Sequence, residues 1–117
     1  MQVLIVSQDA DFRAVAGRVL TQAGYHVTEA AHAGHALIAC IQAPDLNVLV
    51  INEGGADGDA MDVARRLRRY SPNLRVVSLC DRPGPTRADA AVVRPFTADD
   101  LLAAIDSASR QPTSSAS

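Results

Sequence analysis

The strongest constraint on this chain is an alternation of short apolar runs with segments of helical periodicity. Val3-Leu4-Ile5-Val6 and Leu46-Asn47-Val48-Leu49-Val50-Ile51 are near-continuous and rich in β-branched residues. Residues 74–79 are similar. Such runs suit strands buried on both faces, as in a parallel sheet. Two weaker runs, residues 25–29 and Ala91-Val92-Val93, complete a set of five. Between the first two, Asp9 stands at a helix N-cap with Asp11 in the first turn. Phe12, Val15, Ala16, Val19, Leu20 and Ala23 follow at helical spacing, and Gly24 ends the helix. Gly34, Leu37, Ile38 and Ile41 mark a second helix, stopped before Pro44. A third is expected over residues 59–70, with Asp59 and Asp62 at its start and Arg65, Arg66, Arg68 and Arg69 at its end, matching the dipole. Thr97 caps a last helix carrying Leu101, Leu102 and Ile105.

Strand and helix in turn specify an α/β fold with a parallel sheet. Right-handed crossovers make it doubly wound, and five strands favour the order 2-1-3-4-5. The working crevice of such a sheet lies at the carboxyl ends of strands 1 and 3. Those ends carry Ser7, Gln8 and Asp9, and Val50, Ile51 and Asn52. One link breaks the alternation. Residues 81–91 contain Pro83, Gly84 and Pro85, too short and too rich in proline for a full crossover helix. The helix between strands 4 and 5 is expected to be missing or reduced to one turn.

At 117 residues, 48% hydrophobic and 21% charged, the chain suits one globular domain over residues 1–110. The polar residues 111–117 are expected to be a disordered tail or linker. A net charge of −2 gives no basic footprint for nucleic acid and no pull to a membrane surface. No apolar run is long enough to cross a bilayer, and the N-terminus reads as a strand, not a signal peptide. Cys40 and Cys80 read as reduced, mostly buried thiols, which suits the cytoplasm; a disulfide is the less favoured reading.

Three motifs in order then resemble one family. Residues 3–13, a strand running through Ser7-Gln8-Asp9 into a helix, are similar to the opening of response-regulator receiver domains (CheY-like). Pro44-Asp45-Leu46, the third run, and Gly55-Ala56-Asp57-Gly58 resemble the segment with the phospho-accepting aspartate. Arg94-Pro95-Phe96-Thr97 resembles the Lys-Pro-Phe that closes the fifth strand. The similarity spans about residues 2–109. It implies the flavodoxin-like receiver fold, a role in two-component (phosphorelay) signalling, no enzymatic activity and no resident cofactor. It also implies a peptide before Pro95 that is often cis, and a partner face built from the fifth strand and its flanking helices.

The side chains depart from the family's chemistry. Ser7 and Gln8 hold the acid-pair positions, Val50 the acceptor position, Cys80 the strand-4 hydroxyl position and Arg94 the lysine position. Valine is no oxygen nucleophile, and neutral oxygens are poor ligands for Mg²⁺. The expectation is a degenerate receiver with a vestigial pocket of Ser7, Gln8, Val50, Asn52, Cys80 and Arg94, with no metal and no phosphorylation. It acts as a phosphorylation-independent interaction module for signalling proteins, such as a kinase or an output domain of the same or another chain, with a homodimer through an exposed strand flank as one arrangement. The alternatives are phosphorylation at a non-standard acid, Asp9 or Glu53, and a small-ligand or anion sensor using the old pocket. A flavodoxin-like FMN carrier fits poorly, because the first loop is acidic and lacks glycine.

Other residues favour structural roles. Asp9 reads as a cap, Glu53 as a solvated loop acid, Asp57 as a turn former, and Cys80 as a small hydrophobe rather than a redox switch. His32, His35 and Cys40 match no standard metal spacing. Arg94 either binds an anion, pairs with Asp9 or Glu53, or snorkels. The third helix's arginines read as a solvated face, with an acidic partner as the functional alternative.

Overall fold

The computed structural model describes residues 1–53 and 59–110. The glycine-rich stretch with Asp57 and the tail lie outside them. The elements run β1 (Gln2–Val6), α1 (Ala10–Gln22), β2 (His26–Ala30), α2 (Ala33–Gln42), β3 (Val48–Asn52), α3 (Ala60–Leu67), β4 (Arg75–Cys80), β5 (Ala90–Val93) and α4 (Ala98–Ser109). All strand pairs are parallel, in the order β2-β1-β3-β4-β5. That is the expected doubly wound sheet.

The period-two geometry of strands divides the apolar runs between two cores. Leu4, Val6, Leu49, Ile51 and Val76 pack under α2 and α3. Val3, Ile5, Val48, Val50, Val77, Leu79 and Val92 pack under α1 and α4. Side chains on both faces of the central strands are therefore buried, which is why those runs do not alternate with polar residues.

The caps follow the sequence. Asp9 Oδ1 accepts from Phe12 N at 3.1 Å, Asp59 Oδ1 from Met61 N at 2.8 Å, and Thr97 forms a reciprocal capping box with Asp100. Gly24 takes φ +97° just past α1, a conformation glycine adopts without a Cβ clash. The peptide between Arg94 and Pro95 is cis.

Several boundaries differ from expectation. α3 ends at Leu67 rather than at residue 70. Arg69 N and Tyr70 N donate to Arg66 O and Leu67 O in i→i+3 turns, and Arg68 leaves the helix face to donate through Nε to Leu74 O at 3.0 Å. Only Arg65 and Arg66 therefore sit in the last helical turn. Tyr25 stays outside β2 because its N–H closes the end of α1 on Leu20 O. β3 starts at Val48, since Leu46 N is held in a turn to Ala43 O.

Residues 81–89 hold no helix, as expected, but β4 is not left bare. Val76 and Ser78, on the face such a helix would cover, are both fully buried. The link does the covering. Ala88 packs on the α2–α3 core. Asp89 Oδ2 accepts from Val76 N at 2.7 Å and lies 3.5 Å from Arg68 Nη2. Arg87 Nη2 reaches Asp59 Oδ2 at 2.8 Å. At this end of the sheet the open flank is that of the edge strand β5, where Ala91 is exposed.

Candidate functional site

The carboxyl ends of β1, β3, β4 and β5 converge at one edge of the sheet. The β1 end is committed to its own turn. Ser7 is almost fully buried, at 4% exposure. Its Oγ accepts from Asp9 N at 3.1 Å, and its carbonyl accepts from Arg13 Nη1. Gln8 is exposed. Asp9 is exposed and occupied as the α1 cap, so the cap reading of this acid holds.

Val50 is fully buried, within the core shared by Ile5, Leu20, Val77 and Leu79. The β3 register places it beside Ile5 on β1 and Val77 on β4, both apolar. Two residues on, Asn52 is half-buried and its Oδ1 accepts from Arg94 Nη2. Arg94 also meets Asp81 Oδ1 through Nη1 at 3.2 Å. Its backbone N donates to Cys80 O at 2.8 Å. Of the alternatives open for Arg94, pairing with Asp9 or Glu53 is not the one found: its partners are Asp81 and Asn52. The Cys80–Val93 register puts the next residues, Asp81 and Arg94, side by side, and the nearer carboxylate takes the guanidinium. That guanidinium is held from two sides, so it does not snorkel.

Glu53 is also more than a solvated acid. Its Oε2 accepts from Ser78 Oγ at 3.1 Å, which satisfies a fully buried hydroxyl. Ser78 and Asp81 are the site residues that sequence reasoning missed. Ser78 was readable, since it shares a strand face with Cys80 two residues on. Asp81 needed the β4–β5 register. Asn52 and Arg94 are joined directly, and the Cys80 thiol lies within the electrostatic reach of Arg94 and Glu53; Ser7 is tied into the turn after β1, Val50 is in the core, and Gln8 is exposed.

Both cysteines are free. Burial pushes the Cys80 thiol above its ordinary range; Glu53 and Asp81 reinforce this and Arg94 opposes it. Burial likewise raises Cys40, against a hydrogen bond from Ser71. A raised thiol carries less reactive thiolate at neutral pH. Iodoacetamide is therefore expected to alkylate both more slowly than a free cysteine at neutral pH, with a rate that rises as the pH rises. Faster-than-free modification of Cys80 at neutral pH would mean an activated thiolate and overturn the assignment. His32 and His35 also have a structural account. His32 Nδ1 accepts from Gly34 N and His35 N at the start of α2, and the two rings stack at 4.1 Å. Among the described residues, no three His, Cys, Asp or Glu side chains are grouped to hold a metal ion.

This architecture matches known structures closely. Chemotaxis protein CheY4 of Vibrio cholerae superposes with a TM-score of 0.80 at 20% identity, over 92% of this chain and 97% of its own. The receiver domain of the hybrid histidine kinase CckA gives 0.80 at 22%, over 94% and 100%.

The fold is that of a response-regulator receiver domain.

A CheY-like receiver domain from Methanospirillum hungatei JF-1 has the same fold, at TM-score 0.76 and 21% identity over 90% of both chains. By sequence, the transcriptional regulatory protein TcrA of Mycobacterium tuberculosis is 28% identical over 119 aligned positions, taking in 95% of this chain. The chain spans about half the length of that relative (47%). No protein-family profile matches the sequence. Asn52, Cys80, Asp81 and Arg94 sit at the carboxyl edge of the sheet, beside the β1–β3 switch point where a doubly wound sheet has its crevice.

Proposed function

We propose that this chain is a degenerate receiver domain of two-component signalling that works without aspartyl phosphorylation, as a protein-interaction module. Val50 carries the reading. It stands where the receiver pattern has the acceptor aspartate, and it is fully buried in an apolar core. The residues at the cation position do not fit Mg²⁺. Ser7 Oγ is neutral and already engaged by Asp9 N, Gln8 is neutral and exposed, and Val50 has no donor atom, whereas Mg²⁺ is bound through one or more carboxylates. Substitute acids are engaged elsewhere: Asp9 caps α1, Glu53 holds Ser78, and Asp81 holds Arg94. An anion would have to displace Asp81 from Arg94, which disfavours the sensor reading.

The setting follows from the same reading. Its partners are signalling proteins, a kinase or an output domain, rather than nucleic acid or membrane. The name of TcrA, a transcriptional regulatory protein about twice the length matched here, supports a regulatory setting. Two free thiols support a reducing compartment, the cytoplasm. Among the described residues no helix is long and apolar enough to cross a membrane.

Incubation with acetyl phosphate and Mg²⁺ is expected to leave the intact mass unchanged, and beryllofluoride with Mg²⁺ to leave the amide NMR spectrum unshifted. A stoichiometric phosphoryl adduct, or Mg²⁺-dependent shifts at Asn52, Cys80 and Arg94, would reject the proposal.

A further inference from the structure

The seam between α2 and α3 carries an apolar strip that the fold does not cover. α2 contains no acidic residue, lysine or arginine. Ala33, Gly34 and Leu37 form one wall of a shallow groove; Val63, Arg66 and Leu67 form the other. The strip continues along α2. Ile38 follows Gly34 by four residues and Ile41 follows Leu37 by four, so each shares a face with a groove residue. Ile38 and Ile41 are each 54% exposed, unlike the other isoleucines, Ile5, Ile51 and Ile105, which are buried.

Charge lies on one side of this strip. Arg66 lines the groove and is exposed, and Arg69 follows it by three residues, also exposed. Neither has an ion-pair partner among the described residues. Their neighbours do: Arg65 is held by Asp62 at 2.9 Å and Arg68 by Asp89 at 3.5 Å. The seam thus presents exposed isoleucines and the uncommitted Arg66 guanidinium, with a second uncommitted arginine, Arg69, in the turn just past α3, on a chain whose net charge is −2.

Resting on the interaction-module reading, we propose that the α2–α3 seam docks an amphipathic helix of a partner protein, one with aliphatic residues at i, i+4 and i+7 and carboxylates along the flank over Arg66 and Arg69. Two parallel ridges of side chains separated by a groove accept a third helix by interdigitation. Complementary carboxylates would set its orientation and its rate of arrival. A second copy of this chain is the poorer occupant. A two-fold contact places the same patch against itself, bringing Arg66 and Arg69 of both copies together. Residues 111–117 are equally unsuited, since they contain no acid and no large aliphatic side chain.

The test is a methyl-NMR titration of the full chain with a stapled helical peptide bearing leucines at i, i+4 and i+7 and glutamates on one flank. A matched peptide with lysine in place of glutamate is the control. The glutamate peptide is expected to shift the Leu37, Ile38 and Ile41 methyls and to bind about tenfold more tightly than the lysine peptide. In the Arg66→Glu/Arg69→Glu variant, whose changes are on the exposed surface, that preference should reverse. Ile38→Asp/Ile41→Asp should abolish both. Absent shifts at these methyls, equal binding of the two peptides, shifts confined to methyls away from α2 and α3, or a concentration-dependent dimer through the seam would each overturn the proposal. The titration and the beryllofluoride experiment fail separately: loss of the methyl shifts removes this surface and leaves phosphorylation independence standing.

Discussion

Val50→Asp, the substitution that restores an acid at the acceptor position, is expected to cost about 3–5 kcal/mol and to lower Tm by about 15 °C. Val50 is fully buried, its strand neighbours are Ile5 and Val77, and the nearby Ser7 hydroxyl is already engaged. A carboxylate there meets no cation and no free donor; Arg94 is tied to Asn52 and Asp81. Val50→Ala separates size from charge, since losing two methyl groups from a core costs about 2 kcal/mol. The sign with pH is fixed. Burial raises the new carboxyl's folded pKa, so the folded state holds the proton more tightly than the unfolded one. The deficit is therefore largest at neutral pH and shrinks as pH falls toward the ordinary aspartate range. Mg²⁺ is expected to leave the single variant's Tm unchanged. It should raise that of Val50→Asp combined with Ser7→Asp and Gln8→Asp, which supplies charged oxygens. Thermal melts across pH and Mg²⁺ concentration check all of this. A single variant that melts like the wild type would mean that the pocket still accommodates a buried charge.

The difference between what was legible in the sequence and what was not follows the range of the interactions. The five strands, their order and the two-sided burial of β1, β3 and β4 were readable because burial on both faces writes itself into consecutive residues such as Val48-Leu49-Val50-Ile51. Caps at Asp9 and Thr97 were readable because the partner lies within three residues; Asp59, read as the first residue of α3, is its cap. The loss of the crossover helix was readable from proline's fixed φ and missing N–H. What escaped depends on register between strands. Arg94 pairs with Asp81 because Cys80 and Val93 are opposite. Glu53 meets Ser78 across 25 residues. A one-residue slip of β4 or β5 would exchange these partners, and local pattern does not fix that alignment. The end of α3 escaped for a similar reason: Arg68 is drawn away by Leu74 O and Asp89, both beyond the helix.

Those same long-range contacts predict how the shortened link stays in place. Asp89→Ala is expected to cost about 2–3 kcal/mol and to lower Tm by about 10 °C. The carboxylate is the partner of Val76 N at 2.7 Å, on a strand residue with no exposed surface. Its removal leaves that N–H without an acceptor and releases Arg68, whose pairing adds less because both groups retain some solvent contact. Asp89→Asn keeps an oxygen for Val76 and should recover more than half of the loss. Arg87→Ala is the contrast: its ion pair with Asp59 is mostly solvated, so its stability should stay within about 0.5 kcal/mol of the wild type. Limited trypsin digestion adds a positional readout. Cleavage after Arg87 should accelerate in Asp89→Ala well before global unfolding, because residues 81–88 are mostly exposed and Asp89 is their anchor to β4. If Asp89→Ala and Arg87→Ala prove equally mild, Ala88 packing rather than the Asp89 clasp retains the link. If the order is as predicted, one carboxylate on one strand amide does what a crossover helix does elsewhere: it closes the flank of β4 with only a short stretch of chain.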